Sequence, residues 1–66
     1  MEIGGKRVRV QLKQGRKFGF ENCDNIEFME RGFVCFRRKD GTSRIVNKDE
    51  IIDIYFKGGV MKNDTI

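Results

Sequence analysis

The Asp40-Gly41 dipeptide lies between two runs of β-branched and aromatic residues, and no other feature limits the possible folds of this chain as strongly. The runs occupy residues 33–36 and 43–46. Asp-Gly in such a setting is the strongest short-range indication of a two-residue type I′ hairpin turn. A polar corner at 47–50 and the apolar residues of 51–56 predict a third strand. We therefore expect a β-meander over residues 33–56.

The first half of the chain predicts further antiparallel strands. Apolar residues alternate with basic and polar ones in the first of them; the apolar residues are Val8, Val10 and Leu12. This period of two is typical of a half-buried strand, and its outer face is strongly basic. Residues 13–16 predict a turn, and 17–21 a second alternating strand. Residues 22–25 are polar and predict a loop or bulge before a short strand at 26–28.

These elements predict an all-β fold. About five short strands, no proline and no convincing helix indicate a small five-stranded antiparallel barrel of the SH3-like type, because closure of the sheet removes exposed edges. We expect one domain over residues 1–57 and a C-terminal tail at 58–66. A chain of 66 residues is close to the lower size limit for a lone hydrophobic core. Packing of protomers adds buried area, so we expect a homo-oligomer.

The charge distribution favours polyanionic partners. The net charge is +4, from 14 basic and 10 acidic residues. Residues 6–17 contain six basic side chains and no acid, whereas 21–30 contain four acids and no base. Two interpretations stay open at this point. The chain has one basic and one acidic face, or opposite surfaces pair between subunits.

The residue types present argue against several other classes of protein. There are two cysteines and no histidine, whereas structural zinc takes four Cys or His ligands, so we expect neither metal nor cofactor. Cys35 is most simply a small core residue and Cys23 a loop thiol, with a disulfide between them left open. The lone serine and the lack of a nucleophile motif predict that the protein is not an enzyme. No apolar run approaches the roughly 18 residues of a membrane span, and we expect a soluble cytoplasmic protein.

Basic residues near the hairpin are the best candidates for a binding site. Arg37, Arg38 and Arg44 flank it, Lys48 follows at the corner, and folding is expected to bring them near residues 16–17. Arginine offers phosphate a bidentate fork and lysine a point charge. Aromatic side chains stack on bases, and the candidates for stacking are Phe18, Phe20 and Tyr55. For Phe20 a place in the core is the simpler interpretation.

Two segments also resemble the motifs of a known family. Residues 42–51, TSRIVNKDEI, followed by Ile54, resemble the second motif of Sm-like proteins, particularly the bacterial Sm-like RNA chaperone. The first motif is similar to the residues Val10, Leu12, Gly15, Lys17, Phe18, Gly19, Asp24 and Asn25. One departure is Asp49 after Lys48, where the family has histidine. The resemblance implies a ring-forming five-stranded barrel that binds nucleotides near Asn47 and Lys48.

Two functional hypotheses follow. In the first, a homo-oligomer holds nucleic acid or small phosphorylated nucleotides in basic pockets and sequesters a nucleotide signal, by analogy with small proteins of phages and mobile elements. Its ligand-binding residues are Lys17, Phe18, Arg37, Arg38, Arg44, Asn47, Lys48 and Tyr55. In the alternative, the chain is a protein-interaction module, an inhibitor or scaffold, that binds a protein partner through its charged strands or a sheet edge.

Overall fold

A computed structural model describes residues 1–62 and shows an all-β fold, which confirms the predicted class. The six strands are β1 (Glu2–Leu12), β2 (Lys17–Met29), β3 (Phe33–Arg37), β4 (Ser43–Asn47), β5 (Ile51–Phe56) and β6 (Gly59–Lys62). They form one antiparallel sheet in the order β4-β3-β2-β1-β5-β6. The long strands β1 and β2 therefore lie at its centre. No helix of the described chain is long and apolar enough to cross a membrane.

The prediction of a closed five-stranded barrel is wrong in two respects. A sixth strand, β6, pairs with β5 through partners such as Tyr55 and Val60, within the segment expected to be a tail. The other tail residues, 63–66, lie outside the described part of the chain. Over residues 1–62 the sheet is open, because β6 occupies the edge of β5 and does not pair with β4. The four residues of β6, the first of which is the second glycine of the Gly58-Gly59 pair, give too short a pattern to predict a strand from sequence.

The turn between β3 and β4 also differs from the prediction. The backbone N–H of Arg38 donates to the carbonyl of Thr42 at 2.9 Å, which leaves the three-residue loop Lys39-Asp40-Gly41 rather than a two-residue type I′ turn. Gly41 takes the left-handed position with φ of 93°. A three-residue loop that ends in a left-handed glycine is the next most common hairpin connection. The Asp40 carboxylate accepts hydrogen bonds from the Thr42 hydroxyl at 2.7 Å and its backbone N–H at 2.9 Å, and these bonds lower the pKa of Asp40.

The turn between β1 and β2 has positive φ at two successive residues, which is the requirement for a type I′ turn. The values are 64° at Gln14 and 74° at Gly15. Of the two alternatives predicted for 22–25, a loop or a bulge, the structure shows a bulge within a continuous β2, in which Asn22 has φ of 56°. Here Glu21 and Asn22 lie opposite the single residue Arg7. Bulges bend a strand and increase its twist, so the sheet curls around one apolar face.

That inner face carries the core. Its buried residues are Ile3, Val8, Val10, Leu12, Phe20, Cys23, Ile26, Val34, Phe36, Ile51 and Ile54. Phe36 is fully buried, with its ring centroid 5.8 Å from that of Phe18 and 6.2 Å from that of Phe20. Cys23 is a core residue in β2 rather than a loop thiol, and burial raises its pKa. Cys35 is buried as predicted, but on the outer side of β3, and both thiols are free.

Candidate functional site

The outer face of β5, β1 and β2 forms a concave surface. Strand pairing places Tyr55, Arg9 and Gly19 side by side in one row across the three strands. The neighbouring row consists of Asp53, Gln11 and Lys17. Because alternate residues of a strand point to the same face, Arg7, Arg9 and Gln11 form a line along β1. Two cross-strand rows and one line of polar side chains thus define the surface.

This surface is an open groove with a volume of about 570 Å³, and we call it the basic groove. Its lining residues are Arg7, Arg9, Val10, Gln11, Lys17, Phe18, Gly19 and Tyr55. They include three cations and no carboxylate. Gly19 leaves the backbone of β2 uncovered beside Arg9, and a Cβ atom added there would approach no atom closer than 3.9 Å. The missing side chain therefore creates part of the depression.

The cations of the basic groove differ in their partners. Arg7 forms an ion pair with Glu21, with Nε and Oε1 2.9 Å apart, and both side chains are more than half exposed. An exposed pair of this kind contributes little to stability, about 0–1 kcal/mol. Arg9 and Lys17 form no ion pair or hydrogen bond through their side chains with any residue in 1–62. Their charges are available to an anion.

Tyr55 forms the β5 side of the groove. Its hydroxyl donates a hydrogen bond to Oδ2 of Asp53 at 2.8 Å, and this bond raises the pKa of the phenol. The phenol is therefore neutral at physiological pH. The side chain is 42% exposed, so part of the ring is accessible to a ligand. An aromatic ring beside unpaired cations is suited to nucleotide binding, because the base stacks on the ring and the phosphate binds the cations.

Three of the residues predicted to bind a ligand line the basic groove, namely Lys17, Phe18 and Tyr55. The predicted residues of β3, β4 and the following corner do not. Arg37 lies on the outer face of β3, where it forms an ion pair with Glu27 at 3.2 Å. The structure thus places three of the eight predicted residues at the groove and the other five elsewhere in the molecule.

Two of the predicted arginines cover phenylalanine rings of the inner face. The guanidinium carbon of Arg38 lies 4.0 Å from the ring centroid of Phe20, and that of Arg44 lies 3.9 Å from that of Phe18. We call these four residues the arginine-phenylalanine layer. Arg38 is further held by hydrogen bonds to the carbonyl of Glu21 at 2.6 Å and the hydroxyl of Thr42 at 3.1 Å. Both arginines are therefore engaged in intramolecular contacts.

The predicted corner is also held by intramolecular contacts. Asn47 precedes the 3-10 helix Lys48–Glu50, and its side-chain oxygen accepts a hydrogen bond from the N–H of Asp49 at 2.9 Å. Arg16 and Glu50 form an ion pair at 2.6 Å, which ties the β1–β2 turn to the corner. The expected proximity of this corner to residue 16 is present. The corner does not contribute to the basic groove.

Sequence reasoning did not select five lining residues of the groove, Arg7, Arg9, Val10, Gln11 and Gly19. A signal for three of them was present, because Arg7, Arg9 and Gln11 alternate with the apolar residues of β1. That alternation defines a basic outer face. The role of Gly19 depends on which residue lies opposite it, and pairing with Arg9 is visible only in the folded sheet.

Comparison with protein-family models, with curated proteins and with solved structures finds no match to this chain. Resemblance to Sm-like proteins therefore stays a prediction from the sequence motifs.

Proposed function

We propose that the protein is a non-enzymatic binding protein that holds a phosphate-bearing nucleotide, either free or within a nucleic acid, in the basic groove. The observation that carries this proposal is the pair of unpartnered cations, Arg9 and Lys17, in a groove whose lining residues include no carboxylate. Phosphate oxygens accept charge-assisted hydrogen bonds from such donors. The exposed ring of Tyr55 lies next to Arg9 and provides a surface for the base.

The same proposal includes self-association and sequestration. Each chain has one groove, so a homo-oligomer would present several equivalent binding surfaces to a nucleotide signal or to successive nucleotides of a strand. The edges of β4 and β6, which have no partner strand within residues 1–62, and the small size of the chain support self-association. Such a protein acts by lowering the free concentration of its ligand, and it needs no cofactor for that role.

Calorimetry and fluorescence anisotropy test the binding of ligand directly. Purified protein is titrated with mono-, di- and cyclic nucleotides and with short single-stranded RNA and DNA, each at two salt concentrations. We expect affinity that falls as salt rises, because bound phosphates release counterions. Small nucleotides and nucleic acid are separate arms of the panel, so the preferred form of the ligand is read from the same experiment.

Matched variants test whether the ligand binds in the groove. Arg9→Gln and Lys17→Gln each remove one groove cation, and Lys39→Gln removes one from the tip of the β3–β4 hairpin as a control for net charge. We expect the groove variants to bind more weakly than the control, with a smaller salt slope. Equal losses in all three variants would indicate a nonspecific response to net charge and would refute the groove.

Gly19→Val tests the groove without any change of charge. Its Cβ meets no atom within 3.9 Å, and a β-branched residue favours a strand, so the variant is expected to fold at least as stably as the parent. The new side chain fills the depression between Arg9 and the β2 backbone. We expect the affinity for the ligand to fall at least as much as in Arg9→Gln.

The alternative function, a module that binds another protein, becomes the better account if nothing in the nucleotide and nucleic acid panel binds. The exposed apolar side chains on the outer face of β2, β3 and β4 are the observation that favours it. This surface lies away from the basic groove, so the two hypotheses predict different sensitive residues.

A further inference from the structure

The outward edge of β4 carries backbone groups without a partner strand in the part of the chain that the structure describes. Arg38 and Thr42 form a hydrogen-bonded pair at the end of the β3–β4 hairpin. Such pairs alternate along an antiparallel ladder, so Arg44 and Val46 direct their N–H and C=O groups towards β3. The backbone groups that point away from the sheet belong to Ser43, Ile45 and Asn47.

This edge lacks the features that normally protect exposed strands. Natural edges carry charges, proline, bulges or very short strands. β4 has five residues in regular register with β3, no proline and a single charged residue, Arg44. The guanidinium group of Arg44 is stacked on Phe18 at 3.9 Å and so lies on the inner face. By contrast, the other edge strand, β6, has only four residues and includes Lys62.

An exposed apolar surface continues from the β4 edge across the outer face of the sheet. Ile45 is 56% exposed, while Phe33 and Met29 are each 40% exposed on the neighbouring strands. Strand pairing places Phe33 opposite Met29, and Ile45 opposite the buried Cys35. An unprotected edge strand and an apolar surface therefore adjoin each other at Ile45. A partner that also has an unprotected edge strand beside an apolar surface would pair with the β4 edge and cover the apolar side chains.

We propose that a second copy of this chain pairs with the β4 edge, strand against identical strand, about a twofold axis at Ile45. In this antiparallel register Ile45 faces Ile45 of the second copy, and Ser43 faces Asn47. All outward N–H and C=O groups of these three residues are then hydrogen-bonded. On the inner face Arg44 lies opposite Val46 of the second copy, so no like charges face each other. The outer apolar surfaces join into one.

The twofold arrangement also limits the proposed assembly to two copies. An isologous contact uses the same patch on both subunits and closes at two copies, whereas pairing of β4 with β6 is heterologous and continues to a ring or filament. The proposal deepens the homo-oligomer proposed above and rests on it, but it is independent of the ligand. The basic groove is formed by β5, β1 and β2 of one chain, so loss of the dimer leaves the groove intact.

Native mass spectrometry and light scattering over a wide concentration range test the proposal with a matched pair of variants. Ile45 and Val60 are β-branched residues on the two opposite edge strands, 56% and 54% exposed. We expect the parent chain and Val60→Lys to be dimers and Ile45→Lys to be a monomer, because two lysines would meet at the axis. Ser43→Pro removes one outward N–H without adding charge, and we expect it to weaken the dimer as well.

The possible results are each decisive. A parent chain that is monomeric at the highest concentration, a mass above that of a dimer, or a dimer lost in Val60→Lys and kept in Ile45→Lys would overturn the proposal. Circular dichroism of each variant shows whether the sheet is retained. Nucleotide titration of the Ile45→Lys monomer separates the two proposals. Nucleotide binding that persists in the monomer shows that the groove works without the dimer. A parent dimer that binds no nucleotide refutes the proposed groove and leaves the proposed dimer standing.

Discussion

The basic groove and the arginine-phenylalanine layer both hold cations next to aromatic rings and share Phe18, but their cations differ in whether they have a partner. In the layer, Arg38 and Arg44 lie about 4 Å above the phenylalanine rings, and Arg38 is further fixed by hydrogen bonds. In the groove, Arg9 and Lys17 have no partner among residues 1–62. A cation that already has a partner stabilises the fold, whereas a cation without one is available to a ligand.

This difference between partnered and unpartnered cations shows that the density of basic residues along a sequence does not identify a binding surface. Residues 37–39 are the longest run of consecutive basic residues in the chain, and the two arginines among them are both engaged in intramolecular contacts. The groove cations are separated in sequence by apolar residues that point to the core. The predictions below test this contrast between structural and available cations.

The largest effect is expected from the ring beneath the layer. Phe36 is fully buried and contacts both Phe18 and Phe20, so Phe36→Ala should cost about 3–5 kcal/mol in the free energy of unfolding. Urea denaturation followed by circular dichroism measures this loss. For a domain of this size such a cost removes much of the total stability. A loss below about 1 kcal/mol would show that packing against Phe36 does not stabilise the phenylalanine rings of the layer.

The next effect is expected in the groove and on binding rather than on stability. A hydrogen bond to a charged group contributes about 1.5–3 kcal/mol, so Arg9→Gln should weaken the binding of a nucleotide roughly 10- to 100-fold. The urea midpoint should stay unchanged, because the Arg9 side chain has no partner within residues 1–62. Calorimetry and urea denaturation of the same sample check both statements. A fall in stability with unchanged affinity would reverse the assignment of the two regions.

Arg44→Gln is expected to have the reverse effect of Arg9→Gln, a loss of stability with little change in nucleotide affinity. Loss of an exposed cation-π stack on Phe18 should reduce the free energy of unfolding by about 0.5–1 kcal/mol. We expect the affinity for nucleotides to stay within about twofold of the parent, because Arg44 does not line the groove. The two measurements used for Arg9→Gln apply here too. A large loss of binding would move the site to the β3–β4 hairpin, whose flanking basic residues the sequence indicates as candidates.

The sequence predicted the all-β class and the strand pattern because alternation of apolar residues is a local property. It did not predict β6, whose formation depends on the free edge of β5, or the continuity of β2 through the bulge at Asn22. For the site, Lys17 and Tyr55 were predicted from residue type. Gly19 and Arg9 were not selected, because their proximity arises from cross-strand register, which individual residues do not reveal.

The smallest effect concerns the titration of Tyr55. Its hydrogen bond to Asp53 raises the pKa of the phenol, and the chain contains one tyrosine and no tryptophan, so ultraviolet absorbance reports this group alone. We expect a pKa above the usual value of about 10, and a lower one in Asp53→Asn, where the carboxylate charge is lost. Because the pKa in the folded state is raised, the stabilisation is complete below the unfolded value and is lost as pH rises through the folded one. A tyrosine that titrates at its ordinary pKa in both proteins would show that the phenol does not donate to Asp53. The ring would then be free to turn within the groove, and its position beside Arg9 would no longer be fixed before a base binds.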